Sequence, residues 1–198
     1  MNAFDYFLRV VAKVMVHTVQ RPKLLSAKPK IDQPTIFVGR HVGLIDPVVL
    51  MMLYFRKMIK PLVAKDYFYK NKFTKFFYTH AQCIPIDRKK ASKQWLEDSV
   101  ETLHKGQSII IFPEGKRNKS GEGLLPFHSG AALLAQMSGA RIIPVYNEAW
   151  KFPHRYRLAI GEPFFLENMP EGKDRQEWLK EQTELIRNSV AALKTEDK

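Results

Sequence analysis

The chain has 198 residues, a hydrophobic fraction of 45% and a formal net charge of +12. That length and composition are typical of one globular domain with a buried core, so they exclude a disordered chain, and the single cysteine, Cys83, excludes an internal disulfide framework. The excess of basic residues predicts a polyanionic partner: nucleic acid, an anionic membrane surface or an acidic protein.

Residues 1–20 are predicted to form an amphipathic helix. Asp5, Arg9, Lys13 and His17 recur every four residues and therefore line one stripe of it, while apolar side chains cover the rest. Because Arg9 and Lys13 interrupt the apolar stretch, the segment is typical of neither a signal peptide nor a spanning helix. The pattern suits a helix that lies in a membrane interface, and equally one whose apolar face packs on its own domain.

A strand predicted at 35–40 leads into His41 and Asp46. On one continuous helix, side chains five residues apart point roughly 140° away from each other. The backbone must therefore turn between them, and Gly43 allows a turn at no steric cost. Asp46 before Pro47 is typical of a helix N-cap. The two residues could be a base and its orienting carboxylate, or a surface histidine beside an ordinary cap.

The rest of the chain alternates predicted strands and helices, after an exposed connector at 21–34. Strands are predicted at 61–64, 83–86, 108–112, 141–146 and 156–160, and helices at 47–60, 66–80, 92–105, 127–138 and beyond 171. This alternation predicts an α/β fold with a mixed, largely parallel central sheet flanked by helices. His41, Arg88 and Glu114 each follow a strand, so they could converge on one sheet edge.

The stretch 56–93 carries eleven Lys or Arg residues against two Asp residues, a local charge of +9. Within it, aromatic residues at helical spacing alternate with lysines over 66–80. Such aromatics could stack on single-stranded bases, seat among lipid headgroups, or form core beneath a solvated lysine face.

Several familiar catalytic sites are absent from the sequence. It contains no G-x-S-x-G nucleophile elbow, no H-E-x-x-H pair and no Cys/His cluster with zinc spacing. Gly115-Lys116 is not a phosphate-binding P-loop, because Ile110 stands where glycine is needed and Arg117 where Ser or Thr is needed. A general base acting on a substrate hydroxyl is therefore the simpler scheme.

Four segments carry a family resemblance in their order and spacing. They are the H-x4-D pair at 41–46, Ile-Asp-Arg at 86–88, Phe-Pro-Glu-Gly-Lys-Arg at 112–117 and Ile-Ile-Pro-Val at 142–145. Together they resemble the glycerolipid acyltransferases, the family that includes the 1-acylglycerol-3-phosphate acyltransferases, over roughly residues 30–165. On this resemblance, 1–30 would be a membrane-contact helix and connector, 31–165 the catalytic core and 166–198 a C-terminal helix of one domain.

The resemblance implies acyl transfer from acyl-CoA or an acyl carrier protein to the sn-2 hydroxyl of 1-acylglycerol-3-phosphate, which makes phosphatidic acid. His41 would be the base and Asp46 would fix its tautomer; no cofactor beyond the acyl donor and no metal are expected. The residues implied at the acceptor phosphate and glycerol are Arg88, Glu114, Gly115, Lys116 and Arg117, and Pro144 is implied on the acyl-donor side. Another lysolipid or a glycerol-phosphate acceptor is the alternative.

Departures from the family pattern bear on the acceptor. Arg40 stands where the family often has Asn, and Lys116 where it often has Thr. Their added positive charge favours an anionic acceptor such as lysophosphatidic acid.

The resemblance also favours a membrane partner over nucleic acid, because such an enzyme must take a lysophospholipid from a bilayer. Peripheral or monotopic attachment at the cytoplasmic face is expected. The predicted membrane contacts are Phe4, Phe7, Leu8, Arg9, Lys13, Lys72, Phe73, Lys75 and Phe76.

Overall fold

The protein is described by a computed structural model over residues 3–87, 93–118, 123–148 and 155–194. Within these residues, the strands are β1 (Lys23–Leu24), β2 (Thr35–Gly39), β3 (Ile59–Ala64), β4 (Ile84–Ile86), β5 (Ser108–Ile111), β6 (Arg141–Asn147) and β7 (Arg157–Ile160). The helices are α1 (Ala3–Met15), which continues as a π-helical turn (Val16–Gln20), α2 (Asp46–Leu53), α3 (Lys65–Phe68), α4 (Lys72–His80), α5 (Gln94–His104), α6 (Gly130–Ser138) and α7 (Arg175–Ala191).

The strands form one sheet in the order β1-β7-β6-β2-β5-β3-β4. At its centre, β2 pairs in parallel with both β5 and β6, so that Phe37 lies opposite Ile110 and Ile143. β3 and β4 extend the parallel part, whereas β7 runs antiparallel to β6 and β1 runs parallel to β7. The predicted α/β fold with a mixed, largely parallel sheet is confirmed.

Apolar side chains from both faces of the sheet are buried, which is why β2 and β5 read as continuous apolar runs. On one face, Phe37 and Ile110 pack with Val49 and Met52 of α2 and with Val16 of the π-helical turn. On the other face, side chains of β2, β5 and β6 pack against α5, α6 and α7. Helix α2 is apolar almost all round because it lies in the first of these cores.

Two predicted helices differ from the structure. The helix predicted at 47–60 ends at Leu53, and residues 54–58 form an irregular turn before β3. The helix predicted at 66–80 is divided into α3 and α4. The division is stabilised by a capping box, in which the Asn71 side chain accepts a hydrogen bond from Thr74 N and Thr74 Oγ1 accepts one from Asn71 N. This box begins a new helix at Lys72.

The predicted exposed connector at 21–34 contains β1, which the sequence analysis missed. Lys23 N donates to Tyr156 O at 2.7 Å and Leu25 N donates to Leu158 O at 2.9 Å. A two-residue strand is too short to show the alternation by which strands are recognised in a sequence.

Pro144 does not break the strand predicted at 141–146, because β6 continues to Asn147. Its carbonyl faces β7 and accepts from Gly161 N at 2.9 Å. Its nitrogen faces the same way, at the point where β7 ends, so the missing N–H interrupts little of the ladder.

Candidate functional site

His41 follows β2 at the carboxyl edge of the sheet, and its imidazole is bonded to Asp46. The distance from His41 Nδ1 to Asp46 Oδ2 is 2.8 Å, and the carboxylate is 1% exposed as a residue. A carboxylate accepts, so Nδ1 carries the hydrogen and Nε2 is left as the basic nitrogen. The pair predicted from the sequence therefore has the geometry of a general base and its orienting group.

The turn between the two residues is built on the carboxylate. Asp46 Oδ2 also accepts from Val42 N at 2.7 Å and from Gly43 N at 2.9 Å. The prediction that Asp46 is an N-cap is wrong, because Ile45 occupies that position and Asp46 is the first residue of α2. Gly43 has no positive φ, so the bend depends on these hydrogen bonds and not on left-handed glycine geometry.

Tyr156 completes the environment of Asp46. Its hydroxyl donates to Asp46 Oδ1 at 2.8 Å, and the side chain is buried. Burial, together with the charge of Asp46, raises the pKa of Tyr156 well above its ordinary value, so the hydroxyl remains a donor. The carboxylate thus accepts hydrogen bonds on both oxygens.

Two residues of the loop after β5 contact His41 and fix its position. The ring of Phe112 stacks on that of His41 with centroids 4.4 Å apart and an interplanar angle of 15°. On the backbone, Asn118 N donates to His41 O at 2.6 Å. The loop that follows β5 therefore fixes the residue that follows β2.

A cavity of about 460 Å³ opens beside His41. Its polar lining includes Asp87, Lys116, Arg117 and His128 as well as His41. Its apolar lining is contributed by β3, β5 and the side of α5, and includes Leu62, Val63, Trp95, Ile111 and Phe112. A phosphate-bearing group and an apolar chain would both find suitable surroundings next to the base.

Gly115, Lys116 and Arg117 were predicted at the acceptor, and all three line this cavity. Gly115 has φ +66°, and a Cβ built on it would lie 3.1 Å from the His128 ring. A side chain at this position would strain the backbone and collide with the imidazole. Glycine therefore allows the left-handed turn after β5 and leaves the cavity open beside His128. Arg88 lies outside the described residues.

Glu114 and Arg40 lie behind the cavity and not in its lining. Arg40 is 1% exposed and donates to Tyr146 OH and Asn147 O at 3.3 and 3.2 Å. The expectation that its charge favours an anionic acceptor is therefore wrong, because the guanidinium points into the protein. Glu114 is 3% exposed.

Burial raises the pKa of the Glu114 carboxyl to about 7. The Leu125 amide, the Arg40 guanidinium and the His41 amide oppose that rise, while the charge of Asp46 adds to it. Neither carboxyl oxygen makes a well-aligned hydrogen bond within the described residues, so the two amides are electrostatic neighbours and not firm partners. This carboxyl consequently titrates near neutral pH.

Pro144 lies in the middle of β6, opposite Val38 of β2. It packs so closely on the other side that a Cβ on Gly161 would lie 2.7 Å from its ring. It does not contribute to the described lining of the cavity, although it was predicted on the acyl-donor side.

Helix α1 exposes its apolar face and buries the first half of its polar stripe, Asp5 and Arg9, whereas Lys13 and His17 are exposed. Asp5 Oδ1 lies 2.7 Å from His80 Nδ1 of α4, and Arg9 donates to Phe55 O and Lys57 O at 2.8 and 2.9 Å. Arg9 is thus buried, in contrast to its predicted place as a membrane contact, and Leu8 is half-buried. The exposed large apolar side chains of α1 and the turn after it are Phe4, Tyr6, Phe7, Val10, Val11, Val14, Met15 and Val19.

This exposed apolar face is continuous with α4. The rings of Phe4 and Phe76 meet edge to face, with centroids 6.1 Å apart. Phe73 is 76% exposed, and Phe76 is also exposed, as are Lys72 and Lys75 beside them and Lys13 on α1. We call the exposed apolar residues of α1, its π-helical turn and α4 the apolar face. An aromatic surface of this extent marks an interaction site.

Within the described residues, no helix is both long and apolar enough to cross a bilayer. The same residues hold no group of three His, Cys, Asp or Glu side chains placed to bind a metal ion.

Sequence reasoning missed Tyr156, His128 and Trp95 as parts of the site. Tyr156 lies 110 positions from its partner and belongs to no recognised motif. His128 and Trp95 reach the cavity from the start of α6 and from α5. His128 belongs to none of the four segments that carry the family resemblance.

Known proteins resemble this chain in sequence and in fold. A sequence model of the family described as Acyltransferase matches residues 13–148. A chloroplastic 1-acyl-sn-glycerol-3-phosphate acyltransferase of Brassica napus is 27% identical over 147 residues, which is 72% of this chain and 42% of the relative. The enzyme of the same name from Streptococcus pneumoniae is 30% identical over 118 residues, 59% of this chain and 42% of its own. The chain thus spans less than half the length of these curated relatives.

The crystal structure of the 1-acyl-sn-glycerophosphate acyltransferase from Thermotoga maritima has the same fold. It superimposes with a TM-score of 0.67 and 20% sequence identity, covering 98% of this chain and 81% of the other. With a match of the family model to well over half of its residues, including the His41–Asp46 pair and the loop after β5, the chain belongs to the Acyltransferase family.

Proposed function

We propose that this chain transfers a fatty acyl group from an acyl thioester to the sn-2 hydroxyl of 1-acylglycerol-3-phosphate and so makes phosphatidic acid. The observation that carries the proposal is the His41–Asp46 pair, at 2.8 Å, in a cavity that also holds Lys116 and Arg117. The names of the curated relatives support the same acceptor.

In the proposed reaction, His41 Nε2 takes the proton of the acceptor hydroxyl as its oxygen attacks the thioester carbonyl. A C–O bond forms, and the tetrahedral intermediate then collapses with cleavage of the C–S bond. The leaving thiolate takes the proton from the His41 imidazolium and departs as a thiol. Asp46 stabilises the imidazolium between these two steps, and such general-base action is worth about 10²- to 10⁴-fold in rate.

The basic side chains at the cavity mouth are the reason for proposing an acceptor that carries a phosphate. Arg117 presents a planar fork that suits two phosphate oxygens, and Lys116 adds a compact charge beside it. Lys116 is exposed and Arg117 half-buried, so both are within reach of a phosphate that enters from solvent or from a bilayer surface.

The acyl chain is assigned to the apolar lining between β3, β5 and α5, where Leu62, Trp95 and Ile111 lie. This lining recognises the fatty chain and not the carrier. Acyl-CoA and acyl carrier protein therefore both stay as donors in the proposal, and a direct comparison of rates with the two will separate them.

The test is acyl transfer to lysophosphatidic acid in detergent by the His41→Ala variant. We expect activity to fall by at least about 10²-fold. The melting temperature should change little, because Asp46 keeps Val42 N, Gly43 N and Tyr156 OH as donors. His104→Ala, on the exposed side of α5, is the matched control. Full activity of His41→Ala would refute the mechanism.

We further propose that the apolar face lies on a bilayer, as a peripheral or monotopic attachment. The buried half of the polar stripe of α1 supports this orientation, since Asp5 and Arg9 make their polar contacts inside the protein and the large apolar side chains of the helix are exposed. Lysines beside Phe73 would meet anionic headgroups. We place the attachment at the cytoplasmic face, because the anionic lipids that attract a chain of net charge +12 are concentrated there.

Vesicle sedimentation tests this attachment. Phe7→Asp and Phe73→Asp should each weaken binding, because an acidic side chain would have to enter the interface. Leu185→Asp, an exposed apolar position on α7, is the control for the same change elsewhere. Equal binding by all three variants and the unaltered protein would contradict the orientation.

A further inference from the structure

A second concave site lies where the π-helical turn after α1 ends. Of the described residues, His17, Arg21, Pro22 and Arg155 line an open cavity of about 370 Å³. None of these four lines the catalytic cavity. The site is therefore separate from the one that holds His41.

The backbone brings the two arginines together in a defined way. Arg21 has φ 48° and ψ 56°, a left-handed conformation uncommon for a residue other than glycine, and its N–H donates to Val16 O. Gln20 O accepts from Tyr156 N at 2.9 Å, so the entry to β1 lies against the entry to β7. Arg155 Nε then donates to Arg21 O at 3.0 Å. Only one of the five N–H groups of Arg155 is used in that bond.

Every charged side chain that the structure describes in the lining of this site is basic. His17 Nδ1 donates to Lys13 O at 2.9 Å, so Nε2 is the ring nitrogen open to a ligand, and it can donate to a phosphate oxygen when the imidazole is protonated. Both guanidiniums and this imidazole share one cavity, and no carboxylate is among its described lining residues. Like charges held together repel one another, and an anion between them relieves that repulsion. A phosphate group fits best, because guanidiniums bind it with paired hydrogen bonds.

The position of the site indicates the source of the phosphate. Val14, Met15 and Val19, at the end of the apolar face, are exposed beside His17 and Arg21 in the chain. A ligand that fills both environments has a phosphate at one end and apolar chains at the other. We propose that His17, Arg21 and Arg155 bind the headgroup phosphate of an anionic phospholipid that is not a substrate of the reaction.

This inference goes beyond the proposed acyl transfer and does not require it. It rests on the bilayer orientation of the apolar face only for the source of the phosphate. A binding experiment without any acyl donor consequently tests it separately from the chemistry at His41.

The test uses the full chain with Arg21→Gln and Arg155→Gln combined. Binding is measured by sedimentation with phosphatidylcholine vesicles and with vesicles in which part of that lipid is replaced by phosphatidylglycerol. The control combines Arg175→Gln and Lys180→Gln on α7, which removes the same charge from another surface, and both of those residues are exposed. Melting temperatures verify that each variant is folded.

We expect the Arg21/Arg155 variant to bind the anionic vesicles about thirtyfold more weakly, as for two basic residues at an anionic surface. The control should stay within about twofold, and inorganic phosphate should compete with the vesicles only for the unaltered protein and the control. Equal losses in the two variants would mean diffuse charge attraction and would overturn the proposal, as would no loss in either. Phosphate binding that depends on the two arginines without any change in vesicle affinity would overturn the lipid source and indicate a soluble phosphorylated ligand.

Discussion

The hydroxyl of Tyr156 donates to Asp46 Oδ1 at 2.8 Å, on the opposite side of the carboxylate from the His41 ring. Tyr156 precedes β7, the strand that reverses direction in the sheet, and it is buried. The orienting carboxylate is thus fixed by a residue that enters from a different part of the fold.

Replacing Tyr156 by Phe leaves Asp46 Oδ1 buried without this donor. We expect the free energy of unfolding to fall by about 1–3 kcal/mol, the usual cost of an unsatisfied buried polar atom. We also expect kcat to fall with little change in KM, because Tyr156 is not among the described residues that line the cavity beside His41. Denaturant unfolding and steady-state kinetics measure the two effects.

Tyr54→Phe is the matched control for that change. The Tyr54 hydroxyl donates to Pro29 O at 3.0 Å, away from His41. The Tyr54→Phe substitution should lower the free energy of unfolding and leave kcat unchanged. An equal loss of kcat in both variants would mean that Tyr156 acts through general stability and not through Asp46.

Replacing Arg117 by Gln removes the guanidinium that lines the catalytic cavity. We expect KM for lysophosphatidic acid to rise roughly tenfold or more, as for loss of a charge-assisted hydrogen bond. A neutral monoacylglycerol acceptor should be used with unchanged efficiency. An unchanged KM for the anionic acceptor would place the phosphate elsewhere.

Replacing Arg40 by Lys provides the contrasting case. Arg40 is bonded to Tyr146 and Asn147 inside the protein, so its loss should lower stability. KM for lysophosphatidic acid should stay unchanged. A raised KM would restore the expectation from the sequence that the charge of this residue favours an anionic acceptor.

The Glu114 carboxyl makes stability depend on pH. Its pKa is raised to about 7 by burial, against about 4.3 in an unfolded chain, so the folded protein binds the extra proton between these values. Stability from this group is therefore present at pH 4 and is lost as pH rises through 7. The full difference is on the order of 3 kcal/mol.

Glu114→Gln should remove this dependence, because Gln cannot ionise. Urea unfolding of both proteins at pH 5 and pH 8 isolates the effect, since the contributions of all other titratable groups to the free energy of unfolding cancel between the two proteins. We expect the variant to gain stability relative to the unaltered protein as pH rises. The same stability difference at both pH values would show that Glu114 is already ionised at pH 5.

Replacing Arg9 by Ala should loosen α1 from the domain. Arg9 joins the helix to Phe55 O and Lys57 O, whereas Lys13 is exposed on the same helix. Amide hydrogen exchange in α1 should become faster in Arg9→Ala than in Lys13→Ala. Equal exchange in the two variants would mean that other contacts hold the helix.

The sequence was sufficient to predict those site residues that lie close to one another in the chain. His41 and Asp46 are five residues apart, so a single turn brings them together, and their order relative to a strand and a helix is visible in the pattern. Gly115, Lys116 and Arg117 likewise follow directly after a strand, and parallel strands bring such loops to one edge.

The direction in which a side chain points, into the protein or out of it, could not be predicted in the same way. The periodicity of α1 separates two faces, but whether the stripe with Arg9 points inward depends on carbonyl groups near residues 55–57, far along the chain. Arg40 likewise points opposite to its neighbour His41, because successive side chains of an extended segment alternate. Tyr156 requires the antiparallel course of β7, which the local sequence does not specify.

The backbone of Tyr156 is bonded to Gln20 at the end of the π-helical turn that continues α1 and to Lys23 at the start of β1, while its side chain is bonded to Asp46. One residue therefore joins the helix that would lie on a bilayer to the carboxylate that orients the base. With α1 on the membrane as proposed, the depth of His41 below or above the lipid headgroups is fixed by the protein. The height of the base above the membrane plane would then select acceptors whose free hydroxyl reaches that height, before any contact with the headgroup is made.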